Sequence, residues 1–394
     1  MDGLRTWLEL DTFQYIYNLR QIKNLIGETK LAVVLKSNAY GHGMIELAKI
    51  SDVIDFVEYI CTSGTKEALQ LRYSGIKKPI VVLSYLDDSH EKAILNKVDL
   101  CVYDLNVANE ISQAAIKLGI EANIHIKIDT GMTRFGVNYQ DALEFIKKVK
   151  NLPFINIKGI FTHLCDTDSH DVLFTQNQIN CFDKVLDSLD AEKIAIPYSH
   201  VLASGALSFE TKRKYTMVRV GGLIYGMYKS ELHKKRILSK DLSIRLKTIL
   251  TWKTRIFQIK IVPADTYIGY NRAFKTNKMT RVAILPIGYV DGFPRAFSNN
   301  GFVFINNKKA SILGIVSMNV FTVDITNIPE ARINDEVILL GNIEGIRPED
   351  LAIKSETINN EITTRINSNI PRVFVPIEAS SEQLSNNTGI ERHL

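Results

Sequence analysis

Residues 31–43 read Leu31-Ala32-Val33-Val34-Leu35-Lys36-Ser37-Asn38-Ala39-Tyr40-Gly41-His42-Gly43. Five consecutive apolar residues, Leu31 to Leu35, show no polar alternation, the pattern of a strand buried on both faces. The run stops at Lys36. Ser37, Asn38 and Gly41 signal a loop, and Met44-Ile45-Glu46-Leu47-Ala48 opens a helix. The stretch is a βα unit with a lysine at the carboxyl end of its strand. Apolar walls there disfavour the ammonium form, lower the pKa and leave an amine that can act as nucleophile or base. On these residues alone, a lysine that caps the strand and reaches water is the plainer reading.

Outward from this unit, the pattern repeats. Thr6-Trp7-Leu8-Glu9-Leu10-Asp11 alternates like a strand, and Ile16, Leu19, Ile22 and Leu25 fall near helical spacing. Short apolar runs follow at 56–61, 80–85, 100–103, 124–128, 157–162, 200–203 and 218–220, with the clearest intervening helices at 65–71 and 107–118. With the Lys36 strand these make eight strands alternating with helices over about 220 residues. That predicts an α/β chain with an N-terminal (β/α)8, TIM-like barrel. An open doubly wound sheet is the alternative, but no G-x-G-x-x-G follows the first strand. Near residue 245 the texture changes. A long strand-like run at 250–262 precedes short runs at 282–286, 301–305, 310–316, 320–325 and 336–340, separated by turn signals such as Asn299-Asn300-Gly301. The expected domains are a barrel over 1–245, whose first strand can join the other domain, and a mostly β domain over 246–394. The polar tail after Pro376 reads as frayed.

Composition narrows the function. Hydrophobic content of 45%, charged content of 23% and a net charge of +5 over 394 residues describe a soluble globular chain. Basic clusters such as Lys147-Lys148-Val149-Lys150 lack interleaved aromatics and read as solvated faces, so no nucleic-acid partner is expected. Cys61, Cys101, Cys165 and Cys181 lie far apart without CxxC spacing, which suits reduced thiols and argues against a disulfide framework or a metal site. No run approaches membrane-span length. A cytoplasmic protein is expected, with membrane attachment only through a segment absent from this chain.

In a barrel, chemistry collects at the carboxyl ends of strands. Lys127-Ile128-Asp129-Thr130-Gly131 leads from the fifth strand to Arg134; a strand-end turn with an Asp cap is the competing account. His163 ends the sixth strand and His200 opens the seventh run, each equally readable as a satisfied core histidine. Ser204 and the Gly221-Gly222 pair can offer a hydroxyl and backbone N–H groups to a phosphate.

The Lys36 string resembles the cofactor-lysine motif of the alanine racemase family, enzymes dependent on pyridoxal 5'-phosphate (PLP), and the resemblance runs from Trp7 to about Phe374. It implies that Lys36 is the Schiff-base lysine and one catalytic base, and that Tyr40, Ser204, Gly221 and Gly222 hold the phosphate. It places Arg134 on the substrate carboxylate, which a guanidinium can fork. Lys127 matches a lysine that is carbamylated in many members and positions that arginine. His163 and His200 match a hydrogen-bonded chain near the cofactor, and Met217-Val218-Arg219-Val220-Gly221 matches the segment whose arginine faces the pyridine nitrogen. An arginine there leaves that nitrogen unprotonated and the ring a weaker electron sink, which limits transamination. Ile268-Gly269-Tyr270-Asn271-Arg272-Ala273-Phe274 resembles the motif of the second catalytic base, Tyr270, which in the family comes from the partner subunit. A homodimer with shared sites follows. Tyr289 matches the mouth of the entry channel, and the backbone N–H of Met318 matches a contact to the substrate carboxylate.

Two departures bear on substrate. Asn319 stands where the family usually carries Asp. Asn360 stands where it usually carries Tyr, leaving room beside the substrate side chain and adding a donor and an acceptor. The replacement resembles the serine racemase domains of VanT-type vancomycin-resistance proteins. The expected activity is therefore two-base racemisation of L-serine to D-serine, with residual L-alanine to D-alanine, supplying D-serine for modified peptidoglycan precursors and vancomycin resistance. The alternatives are a plain alanine racemase for cell-wall synthesis, a PLP decarboxylase of the same architecture, or a non-catalytic PLP-binding protein.

Overall fold

The structure is a computed structural model and describes residues 3–375, so the tail after Pro376 lies outside the described residues. The chain forms two compact units. One takes Ile22–Ile224 and Tyr228–Ile244; the other takes the residues up to Gln21, Tyr225–Met227 and the chain from Arg245 onward.

The N-terminal strand β1 (Thr6–Asp11) leads into a helix, Thr12–Ile26. Eight strands of the first unit follow: β2 (Lys30–Val34), β3 (Val57–Gly64), β4 (Ile80–Tyr85), β5 (Val98–Val102), β6 (Ala122–Asp129), β7 (Ile155–Phe161), β8 (Tyr198–His200) and β9 (Met217–Val220). They pair in parallel in the order β9-β2-β3-β4-β5-β6-β7-β8. The ring closes between β8 and β9 through the bridge Ala203↔Arg219, where Arg219 N donates to Leu202 O at 3.0 Å and Thr216 N to Ser199 O at 3.1 Å. This near-closed barrel removes the open doubly wound sheet as an account of the chain. The run at 200–203 is strand only as far as His200; its remainder meets β9 through that single bridge.

Strand periodicity sets what the barrel encloses. Alternate residues point to one side. Ala32 and Val34 of β2 meet Tyr59 and Cys61 of β3, Val81 of β4 and Met217 of β9 in one buried cluster. The helices on the outside are punctuated locally. Asp104 caps Leu105–Leu118 by accepting from the N–H groups of Asn106 and Val107, and Gly119 ends that helix in the left-handed region.

The second unit is a nine-stranded sheet. Its further strands are β10 (Leu250–Arg255), β11 (Gln258–Val262), β12 (Thr280–Leu285), β13 (Phe302–Ile305), β14 (Lys308–Leu313), β15 (Phe321–Asp324), β16 (Glu336–Leu340) and β17 (Arg372–Val375), in the order β11-β12-β15-β14-β13-β16-β10-β1-β17. The strand β1 pairs antiparallel with β10 and parallel with β17. Thr6 ties the junction, accepting from Trp252 Nε1 at 3.0 Å and donating to Lys253 O at 2.7 Å. The run at 250–262 is two strands, not one. Ile256 N donates to Asp335 O and Phe257 N to Ile284 O, so the chain changes partners between adjacent residues.

Candidate active site

Lys36 follows β2 with the parity of Ala32 and Val34, and it emerges at the carboxyl end of the barrel. Immediately after it, Ser37, Asn38, Ala39 and Tyr40 have φ of +54°, +52°, +53° and +56°, a left-handed turn built without glycine. Such a turn costs roughly 1–2 kcal/mol per residue. Local bonds hold it. Ala39 N donates to Leu35 O at 2.7 Å, and Asn38 Oδ1 accepts from Met44 N at 2.9 Å. Glu67, in the first turn of the helix Thr65–Tyr73, accepts from Ser37 N at 2.6 Å and from Ser63 N at 2.9 Å. The turn delivers Tyr40 to Gly221. A Cβ at Gly221 would lie 2.6 Å from the Tyr40 hydroxyl oxygen, so any larger residue there would have to displace Tyr40. Gly221 N donates to Ser204 Oγ at 2.9 Å, which leaves the Ser204 hydroxyl proton available for an outside acceptor.

Cations gather around this cradle. Burial lowers the Lys36 pKa, the charges of Arg134 and Arg219 lower it further, and Glu67 opposes them. Burial likewise pushes Lys127 down to about 8, with Arg219, Arg134 and Lys36 adding to the effect. Its Nζ donates to Leu83 O at 2.7 Å and lies 5.4 Å and 5.2 Å from the rings of Phe135 and Phe161. Asp129 Oδ1 accepts from the N–H groups of Gly131, Met132 and Thr133, so this aspartate shapes the turn that presents Arg134. Arg134 is exposed and makes no ion pair among the described residues.

Arg219 is buried and surrounded by acceptors. Nη1 donates to His200 Nδ1 at 2.7 Å and to His200 O at 2.5 Å, and Nη2 to Thr162 O at 2.6 Å. With no carboxylate beside it, burial lowers its pKa to about 10. Among the described residues none accepts from its Nε. His200 is held neutral, well below the usual histidine range, by burial and by Arg219. His163 differs from the expectation. It makes no hydrogen bond among the described residues, and burial, with Arg219 and Arg134 nearby, pushes it down to about 3. The hydrogen-bonded chain from Arg219 and His200 instead continues to His125.

PLP fits this set of residues on three observations. The cationic groups Lys36, Arg134 and Arg219 suit an anion. The Gly221–Tyr40 cradle, which a Cβ would fill, suits a phosphate beside Ser204 and Gly222. The unused Nε–H of Arg219 suits a ring nitrogen that only accepts.

In the second unit, Tyr270 opens a short 3-10 turn, Tyr270–Arg272, after Gly269 at φ +74°. Asn271 sits at φ +59°, a conformation asparagine tolerates. Tyr270 is 70% exposed. Tyr289 N donates to Ser317 O and Val290 N to Met318 O, each at 3.1 Å, so the two segments dock together. A Cβ at Gly288 would come within 2.2 Å and 2.3 Å of the Ser317 and Met318 carbonyl oxygens, which is why glycine precedes Tyr289. The Met318 N–H has no acceptor among the described residues, and Asn319 is exposed. Asn360 is half-buried in the helix Asn359–Thr364; its carbonyl accepts from Thr364 Oγ1 at 2.7 Å, while its amide has no partner among the described residues.

Sequence reading missed Glu67, Asp99 and His125. Asp99 did leave a signal, as the one polar residue of the strand Val98–Val102, and so did His125, which shares the parity of Lys127 in a strand that alternates polar and apolar residues. Glu67 left none, because its partners are backbone N–H groups from other segments.

Comparison with known proteins agrees. The model of the alanine racemase N-terminal domain matches residues 10–229, and that of the C-terminal domain matches residues 249–374. The chain is 38% identical over 376 residues to the alanine racemase of Halothermothrix orenii, covering 94% of this chain and 96% of that one. It is 36% identical over 372 residues to an alanine racemase of Clostridium perfringens, covering 93% and 95%. The solved alanine racemase of Clostridium difficile 630 superposes with a TM-score of 0.89 at 33% identity, covering 95% of this chain and 97% of that one. Fold, site chemistry and similarity over nearly the full length lead to one conclusion: this chain belongs to the alanine racemase family, whose enzymes use PLP.

Proposed function

We propose that the protein is a PLP-dependent racemase that interconverts L- and D-alanine, with two bases acting on opposite faces of the α-carbon. The observation that carries this reading is the half-buried Lys36, its pKa lowered, beside Arg134, which makes no ion pair among the described residues, and the carboxylate-free Arg219. The relatives named above are alanine racemases, which supports alanine over serine as the principal substrate.

Bound PLP supplies the electron sink that acidifies the α-proton. The protein's residues do the rest. Arg134 forks the substrate carboxylate, and the Met318 N–H adds a donor to it. Lys36 takes or returns the proton on one face, helped by the burial that keeps its amine neutral more readily than a free lysine. Tyr270 does the same on the other face, and as it is 70% exposed on its own chain it is read as serving the site of a partner subunit. A homodimer with shared sites follows, with Tyr289 lining the entrance. Tyr40, Ser204, Gly221 and Gly222 hold the phosphate. His163 and His200 stay neutral beside Arg219, which donates to the ring nitrogen and keeps it from taking up a proton. Lys127, with its pKa near 8, is an amine able to add CO₂ and release a proton, and the resulting carbamate would orient Arg134.

A second reading, serine turnover, is favoured by one observation: the half-buried amide of Asn360 has no protein partner and can pair with a hydroxymethyl group. A pocket that offers one such amide discriminates weakly, within about 10²-fold. A chiral assay of the PLP-loaded protein with L-alanine and L-serine at matched concentrations tests both. D-alanine formed faster is expected; D-serine formed faster would restore serine as the main substrate and the resistance role with it, and no inversion of either would favour a decarboxylase or a non-catalytic PLP protein.

A further inference from the structure

Below the site, four buried side chains continue the line that begins at Arg219. His200 Nδ1 meets Arg219 Nη1 at 2.7 Å, and His200 Nε2 meets His125 Nδ1 at 3.0 Å. His125 Nε2 makes no hydrogen bond among the described residues; the acidic group that faces it is Asp99, whose Oδ2 lies 3.4 Å away. Asp99 Oδ2 also accepts from the Tyr59 hydroxyl at 2.9 Å. His125 and His200 are wholly buried, Asp99 is 3% exposed and Tyr59 1%. The line runs from the second residue of β5, at the lower end of the barrel, to the third residue of β9, near its mouth. Space for it is reserved: a Cβ at Gly159 would lie 2.1 Å from His125 Nδ1.

Donor and acceptor rules fix every proton in this line. A guanidinium only donates, so His200 Nδ1 must be bare. A neutral His200 then carries its proton on Nε2 and donates to His125 Nδ1. His125 in turn carries its proton on Nε2, facing a carboxylate that only accepts. Both ends demand the same arrangement. Were either ring to hold the other tautomer, two N–H groups would face each other at one junction, a costly mismatch in a dry interior.

We propose that Asp99 and His125 are positioning residues that lock the proton onto His200 Nε2, so that His200 Nδ1 remains the acceptor that aims Arg219 at the mouth of the barrel. The inference rests on the reading of Arg219 as the partner of the PLP ring nitrogen. An orienting carboxylate acts on histidine in this way, and its replacement by an amide selects the wrong tautomer while preserving shape.

The test uses full-length protein labelled with ¹⁵N-histidine, free of PLP and loaded with it. Two-bond ¹H–¹⁵N spectra report each tautomer, with His200 identified by its stacking on Phe161 and His125 by its edge contact to Tyr59. In the unmutated protein both rings should be neutral with the proton on Nε2. An imidazolium at His200, or a proton on its Nδ1, overturns the proposal without any variant. In Asp99→Asn the new amide can donate to His125 Nε2, so at least one ring should change tautomer, and kcat should fall about tenfold with KM within about twofold. Unchanged tautomers in that variant, or changed tautomers at unchanged kcat, overturn it as well. If the unmutated protein inverts no amino acid, the racemase reading fails, while the spectra still decide the proton arrangement.

Discussion

The two units prepare their chemistry in opposite ways. In the barrel, Lys127 and Arg219 are buried and Lys36 and His163 half-buried, and burial is the largest influence on the pKa of each. In the β unit, Tyr270, Tyr289 and Met318 are 70%, 44% and 53% exposed, held by turn geometry rather than by packing around the side chain. Phe257, Ile261, Met279 and Val320 are exposed on the same unit. The barrel thus sets protonation states within one molecule. The β unit presents groups on a surface, as the proposed sharing of Tyr270 between subunits requires.

Experiments can break this contrast. The largest effect is expected at Lys36. Lys36→Ala should lower alanine racemisation by at least about 10⁴-fold, since removal of a group that acts as base and cofactor anchor disables the unit. A chiral assay showing more than a tenth of the normal rate would remove Lys36 from the chemistry. Tyr270→Phe comes next, with a loss of about 10²–10⁴-fold. Because the two enantiomers are equal in free energy, kcat/KM must fall equally in both directions. The distinguishing sign is loss of the α-proton of one enantiomer to deuterated solvent without inversion, followed by NMR. If inversion and exchange fall together for both enantiomers, the two-base scheme is wrong. Mixing the two inactive proteins sharpens the contrast directly. If sites are shared, re-paired Lys36→Ala and Tyr270→Phe subunits should regain about a quarter of normal activity, because half the dimers carry one intact site of two. No recovery after verified re-pairing would place both residues in a site made by one chain.

Lys127 gives a smaller effect with a definite sign. Its folded pKa of about 8 lies below its ordinary 10.5. Between those values the unfolded chain holds the extra proton, so stability rises with pH across that window, by up to roughly 3 kcal/mol, and is flat below it for this group. Lys127→Met should remove that rise. Urea midpoints compared at pH 7.5 and 9.5 measure it, and identical slopes in both proteins would mean that burial does not govern Lys127. The smallest effect is expected from Asn360→Tyr, a shift of roughly tenfold toward alanine over serine in kcat/KM. An unchanged ratio would dissociate Asn360 from substrate choice.

Much of the barrel was legible because strands buried on both faces are rich in apolar residues, and eight such runs alternate with helices. Lys36 was legible as a break in that pattern at a strand end, whereas the roles of Lys36, Arg134 and Arg219 were legible only through their resemblance to the alanine racemase motifs. His163, expected in a hydrogen-bonded chain near the cofactor, makes no hydrogen bond among the described residues, and the run at 250–262 was read as one strand. In both cases the deciding partners, or their absence, lie far away in sequence: Ile256 and Phe257 change neighbours because Asp335 and Ile284 accept from them. So local sequence by itself determined which segments are strands and helices, and which polar residues stand at their ends, since periodicity and turn chemistry act within a few residues. Only the tertiary structure decided that Glu67 restrains a left-handed turn, that Gly221 makes room for Tyr40, and that Asp99 and His125 stand in line behind Arg219. Hydrogen bonding, desolvation and close contact depend on distances between residues that the chain keeps far apart until it folds.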